Sequence, residues 1–125
     1  MKSRTRTLLI LASLVAFAGC PGIGSTGPDV TDEEARERAL DAEKRHITEQ
    51  LEDSSCVESW SLHSFVGLEE QATVTNRTDS GAHVAVKHPY SYSTKRDEAD
   101  VESEANYLVT ADDVNRVSGT NVSPC

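Results

Sequence analysis

Four histidines, His46, His63, His83 and His88, and the acidic stretch Asp97-Glu98-Ala99-Asp100-Val101-Glu102-Ser103-Glu104 are the groups in this chain that could hold a metal ion. Imidazole suits zinc, copper or nickel, whereas carboxylates suit magnesium or calcium. The spacing speaks against both. If Ala82-His83-Val84-Ala85-Val86-Lys87 is a strand, alternation places His83 with Ala85 and Lys87, and His88 with Val84 and Val86. The two imidazoles then point to opposite faces and cannot share an ion, while His46 lies on a charged helix. No CxxC or CxxH spacing for zinc exists. Carboxylates at 98, 100, 102 and 104 would line one face of an extended strand and hold a hard cation loosely, but the turn glycine of an EF-hand loop is missing. The acids therefore read as a solvated, salt-tolerant face, and no metal site is expected.

Catalytic spacing is equally sparse. The chain has no G-x-S-x-G elbow, Walker loop or HExxH. Gly22, Gly24 and Gly27 spell G-x-G-x-x-G, but inside a Pro/Gly-rich spacer with no strand before it. Neither a catalytic residue nor a cofactor is expected. Trp60, Tyr90, Tyr92 and Tyr107 read as core or hairpin-packing residues. Asn76-Arg77-Thr78 fits the N-x-[ST] acceptor pattern, which makes Asn76 a glycosylation candidate on its turn. The second match, Asn121-Val122-Ser123, is compromised by Pro124.

Charge excludes one class of partner. With 12 Lys plus Arg against 21 Asp plus Glu, the net charge is −9, and nucleic acid would be repelled. The cations concentrate at the start: Lys2, Arg4 and Arg6 precede an 11-residue apolar run, Leu8 to Ala18, interrupted only by Ser13. A spanning helix needs about 20 apolar residues, so the run has the length of a signal-peptide core. Phe17-Ala18-Gly19-Cys20 follows. This order of charge, apolar run, small residues and cysteine resembles the lipobox signal of prokaryotic membrane lipoproteins. The resemblance implies that residues 1–19 are removed, that Cys20 is lipidated, and that the chain is held at the extracytoplasmic face of the membrane. Without the leader, 9 cations face 21 acids, a net charge of −12. Anionic headgroups repel such a surface, whereas acyl or isoprenoid chains contribute about 0.8 kcal/mol per buried CH₂.

With Cys20 lipidated, Cys56 and Cys125 remain as an even pair, expected to form a disulfide in an oxidising compartment. The acid excess, only four Lys and few large aliphatic residues make the composition similar to that of exported haloarchaeal proteins.

The elements that must position these groups fall into a linker, residues 20–30, and one domain, residues 31–125. Thr31 and Glu34 form a capping-box pattern at the start of a helix running to about Glu52, with Leu40, Ile47 and Leu51 on one stripe. Beyond it, Leu62 to Val66 is a short apolar run. Ala72–Thr75 and Ala82–Lys87 read as a hairpin with a six-residue loop, Asn76 to Gly81, and Pro89 is expected to end that ladder. Asn106–Thr110 and Val114–Val117 form a second hairpin. The predicted class is α+β: one N-terminal helix on an antiparallel sheet of about four strands, a cystatin-like order of elements. The functional expectation is a lipid-anchored, non-enzymatic accessory or binding protein with a protein partner at the cell surface. The alternatives are a small enzyme with a pocket between helix and sheet, and a structural cell-envelope component.

Overall fold

The computed structural model describes residues 30–63 and 67–125. The signal-peptide reading, the linker up to residue 29, Cys20 and part of the Leu62–Val66 run lie outside the described residues, whereas Val30, the last residue of the expected linker, is buried. The fold is α+β, with the helix preceding the strands.

Helix α1 spans Asp32–Glu52. The Thr31 side chain accepts from the Glu34 N–H at 3.0 Å, and Asp32, Glu33 and Glu34 occupy the positive end of the helix dipole. At the other end the Asp53 N–H closes onto the carbonyls of Glu49 and Leu51, and the Ser54 hydroxyl donates to the Gln50 carbonyl at 2.7 Å. These contacts satisfy last-turn carbonyls that have no partner within the helix. The buried stripe is Ala35, Ala39, Glu43, Ile47 and Leu51, one residue in every four. Leu40, expected on that stripe, sits at its half-buried margin. The two alanines let the helix backbone approach the sheet closely.

The sheet has five antiparallel strands: β1 (Ser59–Ser61), β2 (Gln71–Thr78), β3 (Gly81–Ser93), β4 (Glu98–Val109) and β5 (Val114–Gly119). Their order is β1-β3-β4-β5, with β2 also paired to β3. β3 is long enough to carry two partners on one edge: β2 along Gly81 to Lys87, and β1 along Ser91 to Ser93.

Three local expectations change. The six-residue loop is a turn of Asp79 and Ser80 only, because β2 continues to Thr78 through a bulge between Val74 and Asn76. Asn76 is accordingly on a strand. Pro89 does not end the ladder; β3 continues to Ser93. Pro89 falls in the interval between the β2 and β1 pairings, where no neighbouring strand requires the N–H that proline lacks. Gly81 has φ +152°, and an added Cβ would run into the Val109 carbonyl, so the chain needs glycine at this hairpin corner.

Two apolar clusters lie between helix and sheet. One contains Val30, Ala35, Ala39, Ala82, Val84, Val86, Ala105, Tyr107 and Val109; the other contains Ile47, Leu51, Tyr90 and Val122. Arg77, at the end of β2, donates to Asp32 at 2.7 Å and to the Val30 carbonyl at 2.8 Å. Arg38 donates to the Thr110 carbonyl in the β4–β5 turn at 2.7 Å. These contacts fix the first turns of the helix against the sheet.

Candidate functional site

A polar band separates the two apolar clusters. Glu43 from α1, His88 from β3 and Ser103 from β4 are the buried polar or charged residues among those described. Glu43 occupies the fourth-residue stripe between Ala39 and Ile47, so helical periodicity drives its carboxylate into the interface. His88 and Ser103 are direct cross-strand partners, which puts their side chains on the same face.

The Glu43 carboxylate is completely buried and heavily bonded. Tyr107 donates its hydroxyl to Oε1 at 2.8 Å. Arg116 on β5 donates Nε to Oε1 at 2.9 Å and a terminal N–H to Oε2 at 3.3 Å, a two-point grip. Another Arg116 N–H reaches the Thr120 carbonyl at 2.8 Å. Burial by itself would push the Glu43 carboxyl up. The hydrogen bonds from Arg116 and Tyr107, together with the guanidinium charge, outweigh it and hold the group below the ordinary carboxylate value. The Tyr107 hydroxyl is pushed upward by burial and by its bond to Glu43. The hydrogen bond to Glu43 is the largest cause raising Arg116. Burial, then the Arg116 charge, lowers His46 despite the opposing charges of Glu43 and Glu49.

At the opposite end of the band, His88 Nδ1 lies 2.8 Å from the Pro89 carbonyl oxygen, and Nε2 lies 3.3 Å from a Glu70 carboxylate oxygen. Surface clefts open at both ends. One, of 240 Å³, is lined by His46, Tyr107 and Arg116 among others. The other, of 300 Å³, lies between Glu37, Leu40, Asp41 and Lys44 of the helix and Glu70.

The sequence-predicted residues are dispersed. Cys56 and Cys125 lie at disulfide-bonding distance, with a Cα–Cα separation of 5.9 Å, and join the end of the helix to the chain's last residue. Glu98, Asp100, Glu102 and Glu104 share the sheet face away from the helix, as alternation requires, opposite Ser93, Ser91, Pro89 and Lys87. His83 and His88 do point to opposite faces. His63 and Asn76 are exposed, and no three His, Cys, Asp or Glu groups converge on a metal-sized position among the described residues. Tyr90 and Tyr107 are core residues, whereas Trp60 stays 37% exposed. Among the described residues no helix is long and apolar enough to cross a membrane.

Sequence reasoning missed the Glu43–Arg116–Tyr107 network. Its available signal was the spacing Ala35, Ala39, Glu43, Ile47, Leu51, in which a carboxylate occupies an otherwise apolar register. Comparison with protein-family models, curated proteins and solved structures yields no match for this chain.

Proposed function

We propose that the protein is a lipid-anchored extracytoplasmic accessory or binding protein, tethered through Cys20 and not enzymatic. The observation carrying this reading is the cysteine arithmetic in space. The chain has three cysteines, and Cys56 and Cys125 take each other. Cys20 is therefore the odd one, and it follows a short apolar run with three cations before it. Structural disulfides belong to oxidising compartments, which agrees with export by that leader.

The helix–sheet interface supports a binding rather than a catalytic role. Both Glu43 oxygens are committed to Arg116 and Tyr107, an arrangement that orders a small core. The acidic open sheet face, with carboxylates at 98, 100, 102 and 104, is the surface available to a partner and to salt. Its density fits an exported protein of a haloarchaeal-type cell. Asn76, the glycosylation candidate, is exposed on β2.

Cell fractionation of the Cys20→Ser variant tests the reading. The parent chain is expected in the membrane fraction, released by detergent but not by high salt. The variant is expected as a soluble exported chain or an uncleaved precursor. Identical fractionation and migration of parent and variant would contradict anchoring through Cys20.

A further inference from the structure

Gln71 pairs with Lys87, so the residue before β2, Glu70, continues that register opposite His88 on the helix-facing side. The two groups meet in an unusual way. The Pro89 carbonyl can only accept a hydrogen bond, so the His88 Nδ1 beside it carries the proton. Whenever Nδ1 is the ring's one protonated nitrogen, Nε2 presents a lone pair. That atom is buried and has no hydrogen-bond partner, and the group facing it at 3.3 Å is another acceptor, the Glu70 carboxylate. In that form two electron-pair donors face one another, and either a proton or a metal ion can lie between them.

We propose that His88 Nε2 and the Glu70 carboxylate are the protein ligands of a divalent cation of the zinc class, held behind Glu70, which itself lines the cleft beside α1. The separation fits. Zinc bonds of about 2.0–2.1 Å to histidine nitrogen and carboxylate oxygen, at a tetrahedral angle, place the two ligand atoms about 3.3 Å apart. The N–H from Nδ1 to a backbone carbonyl is the outer contact that fixes the tautomer and orientation of a metal-binding histidine. Glu37 and Asp41 line the same cleft and, with Glu70, outweigh the charge of Lys44. Imidazole favours zinc, copper or nickel over magnesium and calcium, so excess Mg²⁺ occupies the acidic sheet face without displacing an ion held by His88. Two protein ligands leave two tetrahedral positions for water, and the site binds less tightly than a closed four-ligand one.

This inference deepens the binding-protein reading by naming an ion class, and its failure leaves the anchoring tested through Cys20 untouched. The full chain is dialysed against Zn²⁺ in excess Mg²⁺, with bound metal measured directly. One Zn²⁺ per chain is expected to bind at this site. Glu70→Gln and His88→Gln should weaken that binding at least tenfold, and His83→Gln should leave it unchanged. Glu70 is half-exposed, so its variant is expected to keep the parent fold by circular dichroism. Histidine ¹⁵N spectra of the unaltered chain provide a readout that needs no variant: Zn²⁺ should shift His88 Nε2. Equal zinc uptake by parent and Glu70→Gln overturns the proposal. So do displacement by Mg²⁺, an unmoved His88 resonance, and a doubly protonated His88 ring that takes up no zinc.

Discussion

Glu43 and Arg116 are 73 residues apart in the chain, yet the Arg116 Nε lies 2.9 Å from a Glu43 carboxylate oxygen, beneath the only long helix of the described residues. The two ends of this pair differ. The Glu43 side chain is completely buried, whereas 20% of the Arg116 side chain reaches solvent. Desolvation is therefore greatest for the carboxylate, and each partner's removal has a different consequence.

Arg116→Met should destabilise the domain by about 3–5 kcal/mol, because it strands a buried carboxylate. Glu43→Met should cost less, since Arg116 keeps the Thr120 carbonyl and part of its hydration. The double variant should recover most of the Arg116→Met loss, as buried pairs replaced together by apolar residues of similar size are often near neutral. Urea melts of the four proteins give this cycle. Additive losses in the double variant would show that the two residues act independently.

Acid should weaken the fold through Glu43. Its carboxyl is held below the ordinary value, so its contribution is fully present above that ordinary value. The contribution is lost as pH falls through the lower folded value. Glu43→Gln should flatten this acid limb in stability measured against pH. An unchanged acid limb would assign acid sensitivity to other carboxylates.

Much of the fold is legible in local sequence: Thr31 at the cap, the opposite facing of His83 and His88, and the alternating carboxylates of β4. Glu43 was not legible, because apolar periodicity counts Leu40, Ile47 and Leu51 and skips a charged position. Its partner lies on a distant strand with no local signature. Pro89 misled for a related reason. A proline is incompatible with a ladder only where a neighbour needs its N–H, and the interval between β1 and β2 is set by long-range pairing.

Loss of the Cys56–Cys125 bond should expose how small the core is. The cysteines are 69 residues apart, and closing a loop of that size stabilises by about 4 kcal/mol in the chain-entropy model. The Cys56→Ser/Cys125→Ser variant should melt well below the parent under oxidising conditions. Equal melting temperatures would mean that the native contacts alone close the loop.

Salt should stabilise the domain. At 0.01 M salt the Debye length is about 30 Å, long enough for the carboxylates of β4 to repel acids on the helix; at 1 M it is about 3 Å. Melting temperature should rise from low salt to molar KCl or NaCl. A melting temperature independent of salt would remove the support for a halophilic origin.

Intact-mass spectrometry of the chain extracted from membranes tests the anchoring claim most directly. The expected mass is that of a chain that begins at Cys20, lacks residues 1–19, carries attached lipid, and is two hydrogens lighter than its reduced form. An unmodified mass that includes residues 1–19, or a free thiol at Cys20 in the membrane-extracted chain, would contradict it.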